Sequence, residues 1–294
     1  MQYRADSLGL SGSVTTILRD LIHEHLGLMY EPHQFDYVAD RLAPRIVARG
    51  LDSFMDYYYL LKYEAAPDEW LHVMDALAVN ETFFWREIDQ LRAVVNVIVP
   101  QLADRLQGGN PLRIWSIPCA TGEEPLTLAM LLEETRWFDR IPIQIIGSDA
   151  SPSAIERARA GRYGERSFRN LPASMRDKYF VKGDGQSTVV SELQRRISYD
   201  VVNLMAADQV TRHASASIVI CRNVFIYFSD RSIRRALDTF ERTMPSPGFL
   251  CVGASESLLR RTTVFELQEI GGAFVYVKNA PVERSLTLRG ERVS

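Results

Sequence analysis

Cysteine is scarce in this 294-residue chain: Cys119, Cys221 and Cys251 are the only three, with no CxxC spacing. Each sits in or beside an apolar segment that reads as a strand, so small buried thiols are expected, neither disulfides nor metal ligands. Histidine is scarce too, with five residues (His23, His25, His33, His72 and His213) scattered and mostly N-terminal, and no metal site is expected. No apolar run approaches the ~18 residues of a membrane span, and MQYRADSLGLSG shows no signal-peptide pattern. These absences point to a cytoplasmic protein without direct membrane insertion, and a monomer is the expected state. Nor is there an excess of positive charge: the net charge is −3, which argues against nucleic-acid binding in general. With 46% hydrophobic and 24% charged residues, the chain has the composition of an ordinary globular protein large enough for two domains.

The chain divides into a helical part, a linking segment and a sheet. Residues 13–79 show helical spacing and no period-2 alternation, which predicts an all-α domain of four helices. Ser13 is the expected cap of the first, carrying Val14, Ile17, Leu18, Leu21 and Ile22. The second spans about 32–48 and places Arg41, Arg45 and Arg49 on one face, with Pro44 predicted to kink or restart it. That row is either a solvated face or a basic strip that docks an acidic partner. The third helix holds Phe54, Tyr57, Tyr58 and Leu61, and the fourth opens at Pro67. Residues 80–111 form the link: NETFFWR, a helix from about Thr82 to Leu106, then Gly108-Gly109-Asn110-Pro111. In NETFFWR, Asn80 or Thr82 is either a helix cap or, with Arg86, a polar group that has an assigned partner among three aromatics.

Residues 112–278 read as the sheet domain. LRIWSIPCATGEEPLTLAM gives a buried strand, Leu112–Ser116, a loop of small residues and a helix, the arrangement that cradles nucleotides in α/β proteins. Gly122 is the only loop glycine and no Lys-Ser or Lys-Thr pair follows, which excludes the dinucleotide fingerprint and the P-loop. Glu123 and Glu124 would repel a pyrophosphate, yet they suit ribose hydroxyls and a cationic centre. S-adenosylmethionine, with its sulfonium and amine, is such a ligand. Thr121-Gly122-Glu123-Glu124 also fits a capping box, which would employ Glu124 as a cap and leave Glu123 the freer candidate. A second strand ends at Asp149, 27 positions beyond Gly122, where a carboxylate grips ribose hydroxyls, or else Asp149 or Ser151 caps the helix that follows. Residues 161–202 interrupt the alternation with a hairpin around Gly183-Asp184-Gly185 and a strand at 197–202, predicting a small inserted antiparallel sheet that stands off the domain. The strand SIVIC ends at Arg222-Asn223 with Tyr227 close by, at the sheet edge where α/β folds place ligands. A helix, a strand and a hairpin across Gly271-Gly272 follow, and residues 279–294 are expected to be a loose tail.

Taken together, NETFFWR, WSIPCATGEEP, SDASPSAIERARAGRY, VNL, CRNVFIYF and GASES closely resemble the CheR family of chemotaxis receptor methyltransferases, over roughly residues 14–278. The resemblance implies an α/β, class I S-adenosylmethionine-dependent (Rossmann-like) sheet with an antiparallel C-terminal hairpin, an all-α N-terminal domain and the inserted β-subdomain. It implies methylation of glutamate side chains in the cytoplasmic domain of membrane chemoreceptors, yielding S-adenosylhomocysteine. It further implies cofactor contacts from Asn80, Thr82, Arg86, Glu123, Glu124, Asp149, Asn203, Leu204, Arg222 and Asn223. Arg86 and Tyr227 match the positions suspected of helping methyl transfer, and the helix bearing Arg41, Arg45 and Arg49 matches the one that meets the receptor. Two residues depart from the pattern: Pro44 interrupts that helix, and Ala254 replaces a histidine of the GHSE motif. Two other classes remain open on the sequence: a non-catalytic relative that binds S-adenosylmethionine, and a methyltransferase for another acceptor. A carboxylate acceptor, with a pKa near ~4.3, needs no general base at neutral pH, which agrees with the lack of a well-placed histidine.

Overall fold

The computed structural model describes residues 8–64, 67–106 and 109–279. The predicted loose tail therefore lies outside the described residues from 280 onward, as do residues 1–7. Helix α1 (Gly12–Leu26) is capped two residues earlier than predicted: Ser11 is extended and its Oγ accepts from Val14 N, whereas Ser13 is already helical. Helix α2 (Phe35–Ala48) runs unbroken through Pro44, contrary to the predicted kink. Asp40 and Pro44 share the exposed face, so the carbonyl that the proline ring leaves unbonded is open to water. Helices α3 (Phe54–Tyr63) and α4 (Pro67–Leu77) complete the domain around Leu18, Ile22, Leu42, Ile46, Phe54 and Tyr57.

The link corrects the sequence reading. Residues 80–87 are irregular, with Trp85 and Glu87 at positive φ (70° and 48°), and the helix starts only at Ile88. Neither Asn80 nor Thr82 caps it. The cause lies in Phe84, whose N–H is taken by Ser167 O at 2.9 Å and whose ring is buried among Tyr163, Phe168 and Phe180. Helices α5 (Ile88–Ala93) and α6 (Val99–Ala103) flank a π-helical turn, Val94–Ile98.

Ten strands and six helices follow. Strand β1 (Leu112–Ser116) leads through α7 (Glu123–Glu134) to β2 (Ile143–Asp149) and α8 (Pro152–Ala160). The inserted segment supplies β3 (Arg162–Tyr163), α9 (Ala173–Tyr179), β4 (Phe180–Lys182), β5 (Ser187–Val189) and α10 (Ser191–Gln194). Then come β6 (Ile197–Val201), α11 (Ala207–His213), β7 (Ile218–Ile220), α12 (Asp230–Thr243), β8 (Gly248–Cys251), β9 (Phe265–Ile270) and β10 (Ala273–Lys278). The seven-stranded sheet has the order β6-β2-β1-β7-β8-β10-β9, its first five strands parallel and β10 antiparallel to both its neighbours, β8 and β9. Alternate residues feed two cores: Leu112, Ile114, Ile145 and Ile220 face α7, while Trp115, Ile146, Val219 and Leu250 face α11 and α12.

Strand β6 was expected in the inserted sheet. Instead it pairs parallel to β2, with Ile197 opposite Ile145, and the small sheet takes β3 as its third strand in the order β3-β5-β4. The insert is therefore narrower than 161–202. Nor does it stand off: Tyr163, Phe168, Tyr179, Phe180 and Val189 are buried in the same core as β1 and α7. All three cysteines are buried and free. Among the described residues no helix is long and apolar enough to cross a membrane.

Candidate active site

From β1 the chain builds outward through β2 to β6, then returns to the other side of β1 as β7. The segments leaving β1 and β7 therefore diverge, and open α/β sheets hold their ligands at such a switch point. Here they wall a cavity of about 920 Å³, closed on the helical-domain side by Met29, Tyr30 and Tyr37. That volume is near the upper end for small-molecule sites, about 300–1,000 Å³.

The loop after β1 is pinned to β2: Cys119 N donates to Ser148 O (2.8 Å) and Ala120 N to Asp149 Oδ2 (2.9 Å). Gly122 has φ 95°, and a Cβ there would meet Ala158 Cβ and the Tyr199 and Tyr163 hydroxyls at 3.0–3.1 Å. Only glycine fits this turn. No capping box forms. Gly122 is itself the N-cap, and Thr121 Oγ1 donates to Glu123 Oε2 at 2.6 Å. Glu123 is 2% exposed, accepts a second bond from Ser167 Oγ (2.9 Å) and does not line the cavity. Glu124 does line it, accepting from Ser116 Oγ at 2.7 Å and lying 2.9 Å from Arg222 Nε. Of the two glutamates it is Glu124, not Glu123, that borders the cavity, and neither serves as the cap. Burial pushes both carboxyls up, against Thr121 and Ser167 hydrogen bonds for Glu123 and the Arg222 charge for Glu124.

Asp149 borders the cavity at 4% exposure. It is no cap: Ser151 Oγ caps α8, accepting from Ala154 N at 3.1 Å. Asp149 Oδ1 accepts from Ser151 N (2.9 Å) and Oδ2 from Ala120 N. Burial raises its carboxyl to about 6, with those backbone N–H groups pulling the other way. One acceptor site on each oxygen remains, the provision a vicinal diol needs.

Asn80, Thr82 and Arg86 also line the cavity. Arg86 Nη1 donates to Glu81 O at 3.0 Å. Arg222, fully buried, donates to Arg86 O (2.7 Å) and Glu87 O (3.2 Å), tying the link to β7 and Glu124. Asn203 uses its amide structurally, accepting from Met205 N and donating to His25 O, while Leu204 is buried beside it. Asn223 lies at φ 59°, and Tyr227 borders the cavity at 39% exposure with its carbonyl held by Met29 N at 2.8 Å. The helical domain makes another tie beside Asp149, where Asp75 Oδ1 receives Ser151 Oγ and Ser153 N.

Two family profiles match the chain in tandem: the CheR methyltransferase all-alpha domain over residues 16–78 and its S-adenosylmethionine-binding domain over residues 80–273. The chain belongs to the CheR methyltransferase family. As a CheR-family protein it is an S-adenosylmethionine-dependent methyltransferase. It is 33% identical over 262 residues to "Chemotaxis protein methyltransferase 2" of Vibrio cholerae, covering 88% of this chain and 91% of that one. It is 30% identical to the "Chemotaxis protein methyltransferase" of Escherichia coli, covering 90% and 94%. It is also 31% identical to the "Probable biofilm formation methyltransferase WspC" of Pseudomonas putida, covering 88% of this chain and 60% of that one.

In this CheR-family chain the arginine row of α2 is not a free docking strip. Arg45 turns inward, its Nε and Nη2 each 2.6 Å from the carboxylate of Glu69, and Arg49 lies 3.6 Å from the same group. Glu69 is 2% exposed and cannot be left without a cation. Arg45 alone is drawn in; Arg41 and Arg49 stay exposed, Arg41 over the Tyr37 ring at 5.0 Å. Sequence reasoning also missed Glu87 and Glu256, whose carboxylates hold Asn223 and the segment around Gly253. Nothing in a single sequence distinguishes them from surface glutamates; Glu256 was visible only as part of GASES.

Proposed function

We propose that the chain transfers a methyl group to glutamate side-chain carboxylates in the cytoplasmic domain of membrane chemoreceptors, as a cytoplasmic monomer. The observation that carries the reading is the convergence of Glu124, Asp149, Arg86 and Tyr227, from four separate segments, on one cavity shared by both domains. S-adenosylmethionine supplies a methyl group activated by a sulfonium. Asp149 is the group to accept the ribose hydroxyls, and Glu124 gives the floor negative charge to match a cation. Asn80, Thr82, Asn203, Leu204, Arg222 and Asn223 complete the walls. The acceptor carboxylate is ionised at neutral pH and is itself the nucleophile, so no side chain has to remove a proton. What the protein adds is alignment and exclusion of water. Arg86 orients a carboxylate, Tyr227 donates a hydrogen bond to the acceptor, and the exposed Arg41, over the ring of the cavity-lining Tyr37, favours an acidic partner.

Incubation with methyl-labelled S-adenosylmethionine and receptor cytoplasmic fragments tests this. Label released by base as methanol is the expected result, since it marks a carboxyl ester. Cofactor binding without transfer, or base-stable label, overturns it.

A further inference from the structure

We infer that Glu256 is a positioning residue that sets the reach of Tyr227 by holding the main chain between β7 and α12. Its side chain is 9% exposed and does not border the cavity. Both oxygens are nevertheless used twice, entirely on main-chain N–H groups. Oε2 accepts from Gly253 N (2.7 Å) and Asn223 N (2.8 Å), and Oε1 from Phe225 N (2.6 Å) and Ile226 N (3.3 Å). The loop needs such an external hold. Asn223 sits at φ 59°, where side chains other than glycine are strained, and the turn Phe225–Tyr227 has no side-chain cap of its own. Space is equally tight: a Cβ on Gly253 would lie 2.6 Å from Asn223 Nδ2 and 2.9 Å from Glu256 Oε2. Four donors need four acceptor sites at one point, which a carboxylate provides and an amide does not. Glu256 thus fixes the strained turn at one end while Met29 N holds the Tyr227 carbonyl at the other.

The inference rests on the proposed role of Tyr227, so the test is a double-mutant cycle. Initial rates of methyl transfer to receptor fragments are measured for the wild type, Glu256→Gln, Tyr227→Phe and the double variant, with thermal melts as folding controls. Glu256→Gln is expected to lower kcat by about tenfold in the wild-type background and by less than about twofold beside Tyr227→Phe, because residues acting as a unit are not additive. Equal factors in both backgrounds, or a folded Glu256→Gln of unchanged kcat, overturn the inference alone. An unimpaired Tyr227→Phe instead overturns the role of Tyr227, and the inference with it. If Glu256→Gln does not fold, Gly253→Ala, whose Cβ intrudes on both Asn223 Nδ2 and Glu256 Oε2, takes its place in the same cycle with the same expected and overturning outcomes.

Discussion

Replacing Asp149 by asparagine separates binding from folding. At neutral pH the ionised Asp149 carboxylate is unfavourably buried: with its carboxyl raised to about 6, the folded state forfeits about 3 kcal/mol relative to an ordinary carboxyl. Asparagine removes that cost. It also loses something, because both carboxylate oxygens accept backbone N–H groups, from Ser151 and Ala120. An amide satisfies one and turns its own NH₂ towards the other, at about 2–3 kcal/mol. The two terms nearly cancel, so stability should move by no more than about 1 kcal/mol. Binding has no such offset. A diol facing the carboxylate loses one charge-assisted hydrogen bond and has the other reduced to a neutral one, about 3 kcal/mol, or about a hundredfold in Kd. Titration calorimetry with S-adenosylmethionine and S-adenosylhomocysteine, beside a thermal melt, reads both quantities. An affinity within about threefold of wild type in a folded Asp149→Asn variant refutes the assignment of Asp149 to the ribose.

The same carboxyl predicts a pH dependence. As pH falls through about 6 Asp149 becomes protonated, so cofactor affinity should weaken towards pH 5 in a calorimetric series. Its contribution to stability runs the opposite way, being present at low pH and lost as pH rises from about 4 to 6. Glu123→Gln should leave cofactor affinity within about threefold and stability at neutral pH unchanged or higher, since it removes a buried charge whose hydrogen-bond partners are hydroxyls. Glu124→Gln should cost about 3 kcal/mol in urea unfolding and weaken cofactor binding, because it strands the buried Arg222. Glu69→Gln should lower the urea midpoint by the equivalent of about 2 kcal/mol, since Arg45 and Tyr57 lose a carboxylate that they together hold below its usual range against the upward push of burial.

The parts legible in the sequence are those fixed by local chemistry. Apolar runs gave β1 and β2, Gly122 marked the turn, and Asp149 fell at a strand end because strand lengths leave little choice. What escaped depends on partners distant in the chain. A short segment such as Ile197–Val201 announces a strand, not the sheet it joins; pairing with Ile145, 52 residues earlier, decided that. The capping pattern on paper employs Glu124 and frees Glu123, yet Ser116 and Arg222 draw Glu124 to the cavity while Ser167 holds Glu123 away from it. The three arginines of α2 looked equivalent until Glu69 claimed two. Helix propensity placed the start of α5 near Thr82, yet Phe84 gains more by entering the aromatic cluster than by joining a helical turn.

The ties between the two domains have a practical consequence for cutting the chain. A fragment beginning at residue 80 would keep most of the side chains that border the cavity. It would nonetheless strip three anchors at once: Met29 from the Tyr227 carbonyl, the His25 carbonyl from Asn203, and Asp75 from Ser151 and Ser153. The helical domain is thus a jig as well as a neighbour, clamping three loops that the sheet alone leaves cantilevered.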